Sequence, residues 1–397
     1  MKVLAPTTAF PRFSGDVNGT FILDMFKRLN DIEFKVVAPS DVRAPLEEKI
    51  ENIFVERVSY MPHPKYQRLT YGEGIHVNLQ KSFLAKVQVP MLGITLLKTI
   101  SKDLKKYDLV HAQMVFAGFA AYMARFITGK KTPIIVSFYG KDILNCKQNF
   151  NLYRPMLKNI ELILALSKDM EKMLIDIGID KNKIKVHHLG IDCKKFSYKK
   201  PSVSKNEIRF LSVARFIEKK GIDYGIKAFA KVVKKYPKCK LSLVGDGPQL
   251  AYLMNLTKDL KLEKNVEFIN NLKAVNPRQV TFDEFNKADI FLLPSITTTN
   301  DYGGTPIVLM EAQARGIPCV VFEDAGNSEI VLDGKTGFVV EQKNIEKLAE
   351  KMIDLAENPK LRQKFSIEGR NYILKEFNND VQTRNLESIY HETLKNR

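Results

Sequence analysis

The sequence predicts an α/β protein built from two doubly wound domains, each with a parallel sheet. Short runs rich in β-branched and aromatic residues alternate with helical patterns along nearly the whole chain. At 397 residues, the chain is long for a single hydrophobic core and suits two domains of ordinary size. A lysine- and serine-rich segment without periodicity, residues 192–206, separates two sets of strands.

The predicted elements follow in order. After an N-terminal strand at 1–6, strands are predicted at 34–39, 109–111, 133–138, 162–167, 208–213, 240–245, 266–269, 290–293 and 319–322. We therefore expect an N-terminal domain at 1–192, a C-terminal domain at 193–370, and a terminal helix at 371–397 that has no strand partner of its own. Ligands of doubly wound sheets bind beyond the carboxyl ends of the strands, so we expect the site in the cleft between the domains.

Composition indicates a globular protein, with 45% hydrophobic and 27% charged residues. The net charge is +17, and residues 1–200 carry most of it, with 32 basic against 19 acidic side chains. A basic N-terminal half suits anionic lipid or phosphorylated acceptors. Nucleic acid is not expected, because no arginine-rich tract is interleaved with aromatic residues. The four cysteines lie far apart, which favours reduced thiols in a cytoplasmic protein over disulfides or a zinc site.

Any membrane contact is expected to be peripheral. The N-terminus is too short in apolar length for a signal peptide, and no window approaches the roughly 20 apolar residues that span a bilayer. Residues 81–107 mix apolar side chains with lysines. This pattern fits an interfacial helix at the inner face of a membrane, and equally a helix packed on its own domain with its lysines outward.

The stretch 294–319 has the pattern of a phosphate-binding turn. A strand is followed by a polar loop that closes on Gly303-Gly304-Thr305, with Thr305 as the predicted N-cap and Pro306 as the first helical residue. Glycines allow a ligand to approach the backbone, and a helix N-terminus favours an anion. With Glu311 one turn deeper, the pattern suits a nucleotide-sugar. Glycine-rich turns are also common in any parallel α/β protein, where a mid-helix glutamate is usually solvated.

Two cations follow the strand at 208–213. Arg215 and Lys220 flank one short loop at the carboxyl end of that strand. The bidentate guanidinium and the ammonium could neutralise a diphosphate without a metal ion. The alternative is that these are solvated loop residues in a lysine-rich chain.

Polar residues also follow strands of the N-terminal domain. The loop after the first strand contains Gly15 and Asp16, which suit contact with phosphate or an acceptor sugar, and Asp16 could receive a proton or orient a hydroxyl. Tyr139 and Lys141 follow the strand at 133–138. His111 closes another strand, although a lone histidine there is more often a structural group than a general base.

These segments together resemble the glycosyltransferase family 4 enzymes, which have the GT-B fold, and the resemblance covers almost the whole chain. It is similar in particular to bacterial surface-polysaccharide transferases of the colanic-acid and exopolysaccharide type. The matching text is Gly15-Asp16, Phe138-Tyr139-Gly140-x-Asp142, Leu189-Gly190-Ile191-Asp192, Ala214-Arg215, Lys219-Lys220-Gly221, Val244-Gly245-Asp246-Gly247-Pro248, Ala288-Asp289-Ile290-Phe291 through Pro294-Ser295, Gly304-x-Pro306 to Glu311-Ala312, and Gly334-x-x-Gly337-Phe338.

The resemblance implies a retaining transfer of a sugar from a nucleoside diphosphate, UDP by default, to a surface glycan or lipid-linked oligosaccharide. It implies that Arg215, Lys220 and the backbone at Gly304 and Thr305 hold the diphosphate, while Glu311 accepts hydrogen bonds from the ribose. Neither a metal ion nor another cofactor is implied. The terminal helix would cross back to the first domain. On the acceptor side we expect Tyr139, Lys141 and His111, because each closes or follows a strand of the N-terminal domain.

Two positions depart from the family pattern. The glutamate usually found eight residues before the equivalent of Glu311 is Gly303, with Asp301 nearby, and the usual histidine before the Gly-x-Asp is Tyr139. A GT-B epimerase and a non-catalytic nucleotide-sugar-binding or assembly subunit therefore stay open as alternatives. A dehydrogenase is less expected, because no Gly-x-Gly-x-x-Gly follows the first strand.

Overall fold

The structure, a computed structural model, describes residues 1–13, 16, 18–72, 75–204, 207–298, 305–324 and 326–396, except for the side chain of His76. The chain divides into two compact units. Unit 1 comprises Met1–His188 together with Gln382–Arg397, and unit 2 comprises Leu189–Val381. The chain therefore passes from unit 1 to unit 2 after residue 188, whereas the sequence predicts this boundary after residue 192.

Unit 1 contains, among its described residues, an eight-stranded sheet in the order β3-β4-β2-β1-β5-β6-β7-β8. Its strands are β1 (Lys2–Pro6), β2 (Glu33–Pro39), β3 (Glu47–Ile50), β4 (Ile53–Val58), β5 (Leu109–Gln113), β6 (Ile134–Ser137), β7 (Leu162–Ala165) and β8 (Ile184–Val186). All pairings are parallel except the edge pair of β3 with β4. Every residue of β5 and β6 is buried, as expected for a parallel sheet covered on both faces.

The helices of unit 1 cover this sheet. They are α1 (Thr20–Phe26), α2 (Ile75–Lys81), α3 (Phe83–Asp103), α4 (Val115–Thr128), α5 (Gly140–Gln148), α6 (Phe150–Asn159) and α7 (Lys168–Asp176). By length and composition Phe83–Lys106 could cross a membrane, with a mean hydropathy of 1.4 and 28% of the window buried. The expectation that no window approaches this length was therefore wrong. Core helices of soluble proteins meet the same criterion, and α3 packs one face on unit 1 through Ala85, Leu92, Leu96 and Ile100.

Unit 2 contains, within the part of the chain described, a six-stranded parallel sheet in the order β11-β10-β9-β12-β13-β14. Its strands are β9 (Arg209–Val213), β10 (Lys240–Val244), β11 (Val266–Ile269), β12 (Ile290–Leu293), β13 (Cys319–Phe322) and β14 (Gly337–Val340). Its helices are α8 (Ile222–Lys235), α9 (Leu250–Asp259), α10 (Pro277–Lys287), α11 (Ile307–Ala314), α12 (Asn327–Ile330), α13 (Ile345–Glu357) and α14 (Pro359–Glu376). The strand order reverses between β9 and β12, which is where such sheets bind their ligands.

The last helix, α15 (Asn379–Lys395), begins in unit 2 and from Gln382 onward belongs to unit 1. Its side chains Leu386, Ile389 and Tyr390 are buried in the core that contains β1 and β2. The terminal helix was expected from residue 371, but residues 371–376 are the end of α14.

The two connecting segments run side by side within unit 2. Ile191 N donates to Phe377 O at 2.8 Å, and Asn379 N donates to Ile191 O at 2.9 Å. Gly190 allows this approach, because a Cβ there would lie 2.6 Å from Asn379 Oδ1 and 2.9 Å from its Cα.

Candidate active site

The loops that follow β9 and β10 are joined through their backbones. Phe216 N donates to Asp246 O at 2.9 Å, and Gln249 N donates to Phe216 O at 3.0 Å. A Cβ on Gly247 would lie 2.5 Å from Phe216 O, so only glycine permits this contact. The Gly245-Asp246-Gly247-Pro248 turn therefore supports the loop after β9.

The same loop is joined on its other side to the end of β12. Ile296 N donates to Lys219 O at 2.8 Å. Gly221 has a φ of 57°, and a Cβ on it would lie 2.0 Å from Pro294 O. The loop after β9 is thus fixed between its two neighbours, at the point where the strand order reverses.

Arg215 and Lys220 both belong to this fixed loop. Arg215 is exposed, and Lys220 is half-buried at the end of a short 3-10 turn, Glu218–Lys220. The structure therefore places the two predicted cations at the carboxyl edge of unit 2, on a loop that touches the strand leading toward Thr305.

The loop that leaves β12 is anchored at its first residues. Thr297 N donates to Gln342 Oε1 at 2.9 Å, and the Thr297 hydroxyl donates to Asp324 Oδ1 at 2.9 Å. Gln342 and Asp324 follow β14 and β13, so Thr297 ties three loops together. The predicted contacts at Gly304, with Gly303 and Asp301, lie outside the described residues, as does Gly15 in unit 1.

Helix α11 begins one residue later than expected. Pro306 is the N-cap, with φ −79° and ψ 87°, and the first helical residue is Ile307. Thr305 was predicted as the N-cap; instead its carbonyl accepts from Ile307 N at 3.0 Å. Its hydroxyl is buried and has no hydrogen-bond partner among the described residues. Thr305 lies directly before the N-cap, two positions ahead of the first helical residue.

Glu311 is the fifth residue of α11 and only 4% exposed, so it is not the solvated mid-helix glutamate considered above. Arg278, in the first turn of α10, contacts both carboxylate oxygens: Nη1 lies 3.3 Å from Oε2, and Nη2 contacts Oε1. Arg278 was not predicted from the sequence, because it lies 33 positions from Glu311 and only the fold of unit 2 brings the two side chains together.

In unit 1, Asp16 is held by Arg12. Arg12 Nε lies 2.6 Å from Oδ2 and Nη2 lies 3.2 Å from Oδ1, while Asn18 N donates to Oδ1 at 3.1 Å. Burial by itself would raise the pKa of Asp16, but the hydrogen bonds from Arg12 and Asn18 outweigh it and lower the pKa. A carboxylate with a lowered pKa is a weak base, which favours an orienting role over proton acceptance.

Tyr139 follows β6 and is half-buried. Its hydroxyl lies 2.5 Å from Gln113 Oε1, and its ring centroid lies 4.8 Å from that of Phe21. Gln113 Nε2 donates to the His111 carbonyl at 3.4 Å, which turns the amide oxygen toward Tyr139. Tyr139 is therefore the donor in its bond to Gln113, and burial raises its pKa.

The rest of the Gly140-x-Asp142 segment joins two helix starts. Asp142 accepts hydrogen bonds from Tyr139 N at 2.9 Å and Val115 N at 3.3 Å. Burial raises its pKa to about 7. Lys141 is exposed in the first turn of α5. Tyr139 and Lys141 thus lie at the carboxyl edge of the unit 1 sheet.

His111 does not reach that edge, contrary to its predicted acceptor-side place. It is fully buried, with Nδ1 2.6 Å from the Tyr390 hydroxyl and Nε2 2.7 Å from Ser137 Oγ. Burial lowers its pKa to about 3. His111 is a structural group that joins α15 to the sheet, which was the alternative that the sequence left open.

Two family models match adjacent parts of the chain. The model described as Glycosyltransferase Family 4 matches residues 20–195, and that described as Glycosyl transferases group 1 matches residues 194–372. Together they leave only the two ends unmatched.

Curated relatives are similar over most of the chain. The amylovoran biosynthesis glycosyltransferase AmsK of Erwinia amylovora is 28% identical over 331 residues, which is 82% of this chain and 79% of AmsK. The putative colanic acid biosynthesis glycosyltransferase WcaL of Salmonella typhimurium is 28% identical over 71% of this chain and 70% of its own.

Solved structures share the fold. Sucrose-phosphate synthase from Thermosynechococcus elongatus superposes with a TM-score of 0.77 and 17% identity, covering 100% of both chains. Anabaena HepE in complex with UDP superposes with a TM-score of 0.72 and 19% identity, covering 99% of this chain and 100% of HepE. The predicted GT-B class, with two Rossmann-like units, is confirmed.

Proposed function

This chain belongs to the family 4 glycosyltransferases, and its C-terminal half matches the model of the group 1 glycosyl transferases. We therefore propose that it transfers a hexose from a nucleoside diphosphate to a growing surface glycan or lipid-linked oligosaccharide. We propose UDP as the donor nucleotide, retention of configuration and independence of metal ions. The names of AmsK and WcaL support the glycan, and the HepE complexes with UDP and UDP-glucose support the donor.

One observation carries the proposal. The loop with Arg215 and Lys220 is fixed by Gly221 against the end of β12, beside the point where the strand order reverses. The same strand leads to Thr305 and the start of α11, and Glu311 is buried one turn deeper. Cations, a helix start and a carboxylate are thereby collected at one edge of one sheet.

This arrangement suits departure of a nucleoside diphosphate. As the sugar becomes oxocarbenium-like, negative charge grows on the leaving phosphate. Arg215, Lys220 and the positive end of the α11 helix dipole would stabilise that charge more in the transition state than in the ground state. Glu311 would hold the ribose, and Asp16, Tyr139 and Lys141 would orient the acceptor.

A thermal-shift series in EDTA tests the donor site. UDP, GDP, ADP, CDP and NAD are each added to wild type, to Arg215→Ala and to Arg154→Ala, a control at an exposed arginine on α6. A ligand that binds only the folded state stabilises it by about 2.7 kcal/mol at a hundredfold excess over Kd. We expect one nucleoside diphosphate to stabilise wild type and Arg154→Ala but not Arg215→Ala.

Other outcomes separate the alternatives. Stabilisation by NAD alone would overturn the transferase proposal, and no stabilisation by any nucleotide would favour a non-catalytic subunit. An epimerase would convert the donor sugar without an acceptor, whereas a transferase forms a new glycosidic bond. NMR of the anomeric proton in the product then tests retention.

We also propose that unit 1 contacts an anionic membrane surface at the cytoplasmic face through α3. The outer side of its first three turns is apolar and exposed, formed by Phe83, Leu84, Val87, Met91 and Ile94. The same side of its last turns carries the exposed Lys98 and Lys102, and the exposed Lys105 follows in the 3-10 turn just after the helix. The helix has one acidic residue, Asp103, which is buried against Lys35. An apolar stripe continued by lysines alone is complementary to anionic lipid.

Vesicle sedimentation tests this contact. Wild type should sediment with vesicles that contain anionic lipid and not with neutral ones at low salt, and Val87→Glu should abolish sedimentation. Leu152→Glu is the matched control, because Leu152 is a similarly exposed apolar residue on α6. Equal amounts of wild type left in both supernatants would rule the contact out.

A further inference from the structure

We propose that Arg278 is a positioning residue that makes the nucleotide site selective for ribose. It does so by fixing the Glu311 carboxylate for two adjacent sugar hydroxyls. This inference rests on the proposed function, and it concerns a residue outside the motifs that led to it.

The contact has the geometry of a fixed pair. The two terminal nitrogens of Arg278 face the two oxygens of Glu311, Nη1 to Oε2 at 3.3 Å and Nη2 to Oε1. A bidentate guanidinium holds the plane of a carboxylate, which a single ammonium does not. Each carboxylate oxygen accepts about two hydrogen bonds, so the pairing leaves capacity on both oxygens for incoming hydroxyls.

Arg278 itself projects from a well-defined helix start. Asn276 caps α10 by accepting from Gln279 N at 3.1 Å, and Pro277 is the first helical residue. The guanidinium carbon of Arg278 lies 4.7 Å from the centroid of the Phe282 ring, one turn further along α10. The cap fixes the start of α10, and the Phe282 ring supports the guanidinium of a side chain that is 54% exposed. The buried Glu311 carboxylate is therefore oriented by a contact from α10.

The neighbouring arginine does not duplicate this role. Arg315 follows Glu311 by one turn, but its Nη1 donates to Asn286 Oδ1 at 2.7 Å. Its guanidinium carbon lies 4.8 Å from the Phe282 centroid. Of these two arginines it is Arg278 that forms the ion pair with Glu311.

Two adjacent acceptors in a fixed plane match the vicinal hydroxyls of a ribose. A carboxylate that rotates freely would lose this match for hydroxyls, while contacts with the diphosphate and the base would be unchanged. Removal of Arg278 should therefore weaken binding only for ligands that carry the hydroxyls.

Calorimetric titration with UDP and 2′,3′-dideoxy-UDP tests the inference on wild type, Arg278→Met, Glu311→Gln and the double variant. Wild type should bind UDP about tenfold or more tightly than the dideoxy analogue, a difference of about 1.4 kcal/mol. Both single variants should lose most of that preference, and the double variant should lose no more than Glu311→Gln. Affinity for the dideoxy analogue should stay within about twofold in all four proteins, which also shows that they are folded.

Equal weakening of UDP and the dideoxy analogue in Arg278→Met would overturn the positioning role, because it would place Arg278 on the base or the phosphates. The same holds if the preference for UDP survives in Arg278→Met. Failure of wild type to bind UDP or its analogue would instead overturn the proposed UDP site, and ribose selection with it. Arg278→Lys, which keeps the charge but not the fork, should fall between wild type and Arg278→Met.

Discussion

At the scale of single residues, Tyr139 shows how one substitution changes the chemistry of a site. Family members usually carry a histidine at this position, a group that titrates near neutral pH. Tyr139 instead donates its proton to Gln113, and burial raises its pKa further above the ordinary value for tyrosine. Activity in this chain therefore cannot depend on titration of this position near pH 7.

We expect Tyr139→Phe to lower the free energy of unfolding by about 1–3 kcal/mol, because the buried Gln113 amide oxygen loses its donor. The shape of kcat/KM against pH between pH 6 and 9 should not change, since Tyr139 does not titrate there. Urea unfolding and pH-rate measurements check the two parts. Tyr139→His is the informative comparison, because it restores a titrating group; a shifted pH profile in Tyr139→Phe would contradict the argument.

At the scale of elements, helix α15 depends on two buried histidines of unit 1. His111 contacts the Tyr390 hydroxyl, and His187 Nε2 donates to Gln382 O at 3.0 Å. Burial lowers the pKa of His187 to about 4, as it lowers that of His111 to about 3. Well above pH 6.5 both histidines are neutral whether the chain is folded or unfolded. As the pH drops below about 6.5, the unfolded chain binds protons that the folded chain does not. The free energy of unfolding therefore decreases as the pH is lowered.

We expect His187→Gln, which keeps a donor near Nε2, to remove up to about 1.4 kcal/mol per pH unit of this loss between pH 6.5 and 4. The quantity to measure is the difference in the free energy of unfolding between variant and wild type, by urea unfolding across that range.

The difference is needed because Asp142 contributes to both proteins with the opposite sign. Burial raises its pKa to about 7, so the folded chain gains stability as Asp142 is protonated. Parallel curves for the two proteins would show that His187 does not contribute.

At the scale of the whole molecule, the sequence predicted both parallel sheets because their central strands are short runs of apolar residues, which the structure shows to be buried. β11, β12 and β13 occupy their predicted positions, whereas β3, β4, β8 and β14 were not predicted. β3 is a charged edge strand and β8 has three residues, so neither has a clear apolar pattern.

The site was predictable where its residues directly follow strands, as with Arg215 and Thr305. Contacts between distant segments were not predictable, because packing and not local pattern brings them together. Arg278 with Glu311 and Gln113 with Tyr139 are examples, and His111 with Tyr390 spans 279 positions. The start of α11 was misplaced by one residue, because Pro306 has a non-helical ψ of 87° and the helix begins at Ile307.

Deletion of residues 382–397 should unfold unit 1 and leave unit 2 intact. Leu386, Ile389 and Tyr390 each stabilise the unit 1 core by about 1.5–3 kcal/mol through burial, and a domain is stable by only about 5–15 kcal/mol. Amide hydrogen exchange checks this: protection should be lost in β1, β2 and β5 and retained in β9 to β13. Retained protection in β1 would contradict it.

The return of α15 to the first sheet also orders events during synthesis. Residues 1–188 emerge from the ribosome first, but their core stays incomplete until the last helix is released. Residues 189–381 are contiguous, so unit 2 can fold before the core of unit 1 is complete. The unit whose chain is made first therefore completes its core last, and during translation its apolar strands stay exposed for longer than those of the other unit.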